Sequence, residues 1–139
     1  MDKALNYLSL ARKAQRAELG EEPVGVAARA LQAHLILVAS DASDHTWRRA
    51  KSFAAGTDQK CVRLGYTKDE LGAAIGRQSL AVAAVTDAAL ALALLQSLPA
   101  NPQTEEAMPV LAEKVKRAKQ RQAESKAYQR NRRSGLKKK

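Results

Sequence analysis

Apolar positions recur at helical spacing from the start of the chain. In residues 3 to 15, Ala4, Leu5, Leu8 and Ala11 fall on one face and Arg12 and Lys13 on the other, which predicts a first helix. AELG (17–20) reads as a short strand, and LGEEPVGVAARA (19–30) as the opening of a second helix running from about 21 to 32. HLILVASD (34–41) is a continuous β-favouring run ending in a polar turn, the pattern of a buried central strand. Ser43 or Asp44 can cap a third helix through about Phe53, which Gly56 helps to end. KCVRLG (60–65) alternates as a strand does. In TKDELGAAIG (67–76), Thr67 and Glu70 have capping-box spacing, and Gly76 suits the C-terminal end. LAVAAVT (80–86) reads as another buried strand and DAALALALLQSL (87–98) as a closing apolar helix. Helices alternating with short strands predict an α/β sandwich with helices on both sheet faces.

The pattern then changes. PANPQTEEAMP (99–109) places three prolines among polar residues and reads as an extended linker. Beyond it, residues 110 to 139 favour helix in composition, but only Leu111, Val115 and Ala118 make a weak apolar stripe. A helix from about 110 to 128 would be on the order of 28 Å long. With so little to bury, it is expected to be unstable until it meets a partner. The expected organisation is a core over 1–98, a linker over 99–109 and a basic tail, helix-prone or disordered, over 110–139.

Charge sharpens that division. Of the net +10, residues 1 to 98 hold 12 Lys+Arg against 10 Asp+Glu, and residues 99 to 139 hold 12 against 4. The tail candidates for phosphate contact are Lys114, Lys116, Arg117, Lys119, Arg121, Lys126, Arg130, Arg132, Arg133, Lys137, Lys138 and Lys139. Charge alone leaves RNA, DNA and anionic lipid open as partners. Hydrophobic residues make up 45% and are mostly Ala, Leu and Val, so the core should be built of small side chains and closely approaching helices. A single cysteine, Cys61, excludes an internal disulfide framework and fits a reducing compartment. No apolar run approaches the roughly 20 residues that span a bilayer, and the N-terminus lacks a signal peptide's apolar stretch. The expectation is a soluble cytoplasmic protein without membrane partners.

Catalytic and cofactor chemistry finds little support. Gly20 and Gly25 have the glycine spacing of a phosphate loop, but Val26 and Ala27 stand where its lysine and hydroxyl belong. His34, His45 and Cys61 do not complete a zinc set, and Cys61 has no partnering base nearby. Asp41, Asp44 and Asp87 lie near strand ends, where carboxylates commonly cap helices. Trp47 is expected in the core, with Arg48 and Arg49 beside it as a weaker partner-surface option. Aromatic content of 4% does not indicate a stacking platform for single strands. No enzymatic activity, cofactor or metal is expected.

Four blocks carry a family resemblance: LNYLSLARKAQRAELGEEPV, LILVASDAS, VRLGYTKDELGAAIG and VAAVTD. In order and spacing they resemble the bacterial YlxQ branch of the L-seven-Ae/L-thirty-e ribosomal-protein superfamily, over residues 3 to about 98. The resemblance implies a three-layer α/β/α fold with a small mixed sheet. It also implies binding of RNA, often at kink-turns, internal loops bent by sheared guanine–adenine pairs. In that superfamily the glycine before the second helix is followed by an Asn-Glu pair and then a lysine one turn on. Gly20 matches the glycine, while Glu22, Pro23 and Val26 replace the other three. The second contact element corresponds to Arg77, Gln78, Ser79 and Leu80.

Those departures have a physical meaning. A helix N-terminus carries roughly half a positive charge, which Glu21 and Glu22 together outweigh, so phosphate is disfavoured there. Carboxylates can instead accept from base amino groups, or simply complement the helix dipole. Phosphates would then fall to Arg12, Lys13, Arg16, Arg29 and Arg77. The leading expectation is a non-enzymatic protein that binds structured RNA in ribosome- or translation-related work. A contact set of six phosphates in the tail would lose about 10³-fold in affinity between 50 and 200 mM salt. A protein-interaction module whose tail folds on a partner is the alternative, and the accessory domain of an RNA-modifying enzyme ranks last.

Overall fold

The computed structural model describes residues 2–137, with side chains described as far as Asn131. Its elements run α1 (Lys3–Lys13), β1 (Ala17–Leu19), α2 (Glu21–Arg29), β2 (Leu35–Val38), α3 (Asp44–Ala54), β3 (Lys60–Arg63), α4 (Lys68–Ala74), β4 (Val82–Val85), α5 (Ala88–Gln96) and α6 (Pro102–Lys137). The sheet has the order β1-β4-β2-β3, with β4 antiparallel to both its neighbours and β2 parallel to β3. Helices α2 and α3 pack on one face, and α1, α4, α5 and α6 lie on the other. The architecture is the expected α/β/α sandwich with a mixed sheet.

Central position explains the apolar runs. All four residues of β2 and of β4 are buried, whereas β3, at an edge, buries only Val62 fully. Helix α5 is apolar nearly all round because it is packed between α1 and α6. Many of the buried positions are alanines, including Ala4, Ala11, Ala28 and Ala50, which lets helices approach closely. Two helix ends use a left-handed residue where glycine is usual. After α1, Gln15 has φ 59° and Arg16 N–H donates to Ala11; after α2, Leu31 has φ 59° and Gln32 N–H donates to Ala27. The second of these turns stops α2 at Arg29, short of the expected residue 32. Buried Gln59 secures the same corner, its side chain accepting from Ala33 N–H at 2.9 Å and donating to the Ala28 carbonyl at 3.2 Å.

The C-terminal segment differs from the extended linker that its prolines suggest. Asn101 caps a helix that starts at Pro102: Thr104 N–H donates to the Asn101 side chain, and Asn101 N–H to the Thr104 hydroxyl. Proline at a first helical position forfeits no intrahelical bond. Thr104, Ala107 and Leu111 then form a buried stripe at helical spacing, 3%, 1% and 0% exposed, packed against α5 and β3. Full burial of Leu111, worth about 1.5–3 kcal/mol, offsets much of the ~3 kcal/mol that Pro109 costs inside the helix. From Lys119 to Asn131 every residue except Ala127 is exposed.

Candidate nucleic-acid interface

One edge of the molecule, where β1 ends and β4 begins, gathers the two elements that the sequence singled out. Gly20 N–H donates to the Val82 carbonyl at 2.9 Å, fastening the start of α2 to the start of β4. Gly20 has φ 96°, a conformation that glycine adopts without strain. The loop 77–80 leads directly into β4 and is clamped onto α4: Arg77 N–H donates to Gly72 and Leu80 N–H to Lys68. Gly72 is required by contact, because a Cβ there would lie 2.7 Å from Ser79 N and 2.8 Å from Arg77 O. Helix α4 is itself fixed by the Thr67–Glu70 capping box and by Asp41, which accepts from Lys68 N–H at 2.8 Å. Ser43 and Asp87 cap α3 and α5, so Asp41 and Asp87 both serve helix starts. Tyr66, at the same edge, is hydrogen-bonded to Asp2; burial and that bond push its phenol up to about 12 and draw the Asp2 carboxyl down.

Arg77, Gln78 and Ser79 are exposed on this loop, while Leu80 is 3% exposed and belongs to the core. Glu22 projects into solvent and meets Arg49 of α3 at 3.5 Å. So open a pair contributes ~0–1 kcal/mol, but it sets a cation against one of the two acidic charges at the start of α2. Arg49 also lies over the Phe53 ring, 5.6 Å from its centroid. Arg29 folds back along α2, a guanidinium nitrogen lying 3.4 Å from where a Cβ on Gly25 would be. Glu22, Arg29 and Arg49 thus form a ridge across α2 and α3. The sequence marked Arg49 only as a neighbour of Trp47; its approach to Glu22 spans 27 residues and has no local signal. Glu21 keeps one carboxylate oxygen out of solvent and without a hydrogen-bond partner. Val26, one turn into α2, is 59% exposed.

Other expected contacts lie elsewhere. Arg12, Lys13 and Arg16 are exposed at the opposite edge, where the Arg16 carbonyl accepts from Thr86 N–H beyond the far end of β4. About 13 Å of extended chain separates Arg16 from Gly20. In α6, Lys114 is nearly buried and engaged, its ammonium 3.2 Å from Asp58 and 3.2 Å from His34 Nδ1. Arg117 meets Glu113 at 3.5 Å, and Lys116, Lys119, Arg121, Lys126 and Arg130 are exposed. The side chains of Arg132, Arg133 and Lys137, and the whole of Lys138 and Lys139, lie outside the described residues.

Trp47 is half-buried against the core with Lys51 and Arg63 over its ring, 5.1 and 5.3 Å from the centroid. Burial pushes the Cys61 thiol up to about 12, which leaves almost no thiolate at neutral pH. Among the described residues no group of His, Cys, Asp and Glu could hold a metal ion, and no helix is long and apolar enough to cross a membrane.

Solved structures share this fold. The 15.5kD RNA-binding protein of Giardia lamblia superposes with a TM-score of 0.58 at 16% identity, over 78% of this chain and 87% of that one, a likeness of fold alone. A protein of unknown function from Bacillus halodurans superposes with a TM-score of 0.65, over 70% of this chain and 97% of that one. No protein-family model matches the chain, and no curated protein matches it in sequence. At 30% identity over nearly its whole length, the Bacillus halodurans protein is a relative, and the chain belongs to the same family.

Proposed function

We propose that the chain is a non-enzymatic RNA-binding protein of the YlxQ branch of the L-seven-Ae/L-thirty-e superfamily. It recognises structured RNA, with kink-turns as the leading class, in ribosome- or translation-related work. The observation that carries this reading is the joining of the start of α2 to the 77–80 loop through Gly20, Val82 and Gly72. Two elements far apart in sequence thereby present one surface where β1 ends and β4 begins. The fold shared with an RNA-binding protein supports it.

The chemistry follows from the groups at that edge. Arg77 supplies charge for the backbone, and Gln78 and Ser79 supply polar groups for base edges and ribose hydroxyls. Glu22, partly offset by Arg49, presents acceptors to base amino groups. The exposed half of α6 adds salt-sensitive affinity without sequence preference. The test is binding of the full chain to a kink-turn RNA and to a straight duplex of equal length between 50 and 200 mM salt. A preference for the bent RNA that persists as salt rises is expected; equal affinity throughout would show that the edge does not read RNA. A protein-docking reading draws on exposed Val26, which with Pro23, Ala27 and Glu18 lines a groove of about 300 Å³ along β1.

A further inference from the structure

At the opposite edge of the molecule, beyond the strand ends farthest from Gly20, two basic segments distant in sequence converge on the junction of β4 with α5. The first is the end of α1 and the turn after it, whose Arg16 carbonyl holds Thr86 N–H at 2.8 Å. The second is α6, whose residues wall a cavity of about 430 Å³ together with Thr86, Asp87 and His34. Arg117 and Arg121 are one helical turn apart and line this cavity, while Lys119 lines its neighbour beside Asp87 and Ala88. We propose that this edge is a second RNA-binding face, which holds the phosphate backbone of a different RNA segment from the one at Gly20. The proposal rests on the RNA-binding reading and extends it from one face to two.

Several features favour phosphate here. The edge presents Arg12, Lys13, Arg16, Arg117, Lys119 and Arg121, all exposed. The two carboxylates in the cavity wall are already engaged, Asp58 by the Lys114 ammonium at 3.2 Å and Asp87 by Leu90 N–H at 2.9 Å. Lys114 is anchored in turn by His34, so one wall of the cavity is pre-ordered. Burial, with the Lys114 charge second, disfavours the charged His34 imidazole; the Lys114 ammonium can only donate to Nδ1, which leaves the ring proton of the neutral form to Nε2. Leu31, 60% exposed, gives the cavity an apolar wall suited to a sugar. The apolar stripe of α6 is taken up by its docking on α5 and β3, so the surface suits an RNA backbone better than a bilayer.

Four full-length proteins test this: wild type, Arg12→Gln/Arg16→Gln, Arg117→Gln/Arg121→Gln and, as a charge-matched control, Lys126→Gln/Arg130→Gln. All the substituted residues are exposed, so the fold should be retained, and circular dichroism checks it. Anisotropy of a straight RNA duplex across salt gives affinity and salt slope. Each edge pair should weaken duplex binding several-fold more than the control pair and lower the slope by about two. The preference of wild type for bent over straight RNA should survive in both edge pairs. Energy transfer between a donor-labelled kink-turn and an acceptor-labelled duplex should rise with wild type and stay flat with the edge pairs. Equal losses for edge and control pairs, or energy transfer unchanged by the edge pairs, overturn the second face and leave the first intact. Failure of wild type to bind either RNA overturns both.

Discussion

Gly72→Ala adds one methyl group where α4 meets the 77–79 loop. Its carbon would lie 2.7 Å from Ser79 N, 2.8 Å from Ser79 Cα and 2.8 Å from Arg77 O, against ordinary contacts of 3.4–4 Å. All three neighbours are backbone, so no rotamer change relieves the clash and the loop must move by more than half an ångström. Overpacking of this kind costs about 1–3 kcal/mol, whereas alanine gains roughly 0.5–1 kcal/mol over glycine inside a helix. The net expectation is a loss of about 1–2 kcal/mol, or roughly 3–8 °C in Tm for a chain of this size. Gly65→Ala is the control, because its Cβ would meet nothing within 4 Å and should leave stability unchanged or slightly higher. Urea unfolding followed by circular dichroism measures both. If Gly72→Ala matches or exceeds wild type, the loop does not rest on the α4 backbone, and the account of how it is positioned fails.

Two further outcomes follow from α6. Leu111→Ala should destabilise the fold by about 2–5 kcal/mol in urea, because Leu111 is fully buried, while exposed Tyr128→Ala should stay within ~0.5 kcal/mol of wild type; equal effects would contradict docking of α6. The folded protein disfavours protonated His34, so the unfolded chain takes up the proton first: stability from this group is complete above its ordinary value of 6.5 and is lost as pH falls below it. The stability difference between wild type and His34→Gln should therefore shrink over that window, and a difference that is constant from pH 8 to 5 would refute the assignment.

What could be read from the sequence was local. The Thr67–Glu70 box is a side chain meeting its own backbone, and the buried runs of β2 and β4 need only a sheet with both faces covered. The start of α6 was equally local: Asn101-Pro102 followed by Thr104 is a cap with proline at the first helical position. Three prolines in eleven residues masked that signal, and the compensating burial of Thr104, Ala107 and Leu111 depends on α5 and β3. At the candidate site, the position of Gly20 was legible. Arg12, Lys13 and Arg16 are set apart from it by the length of β1; what the sequence did not show is which residues stand at the two ends of that strand, Val82 by Gly20 and Thr86 by Arg16. Arg49 was missed as a neighbour of Glu22 because it arrives on a different helix.

The docking of Leu111 also sets an order on synthesis. Helix α5 is complete once residue 96 has been made, but one side of it waits for α6, whose deepest anchor comes fifteen residues later. Until Leu111 emerges from the ribosome, the Ala- and Leu-rich surface of α5 is covered by α1 and β4 but not on the side that α6 will take, and a growing chain is open to misassociation there. Polypeptides cut between residues 96 and 111 should accordingly be caught as aggregates or chaperone clients, whereas those extended past 118 should be released as folded protein. The same helix that carries the basic surface outward is the one whose arrival closes the core.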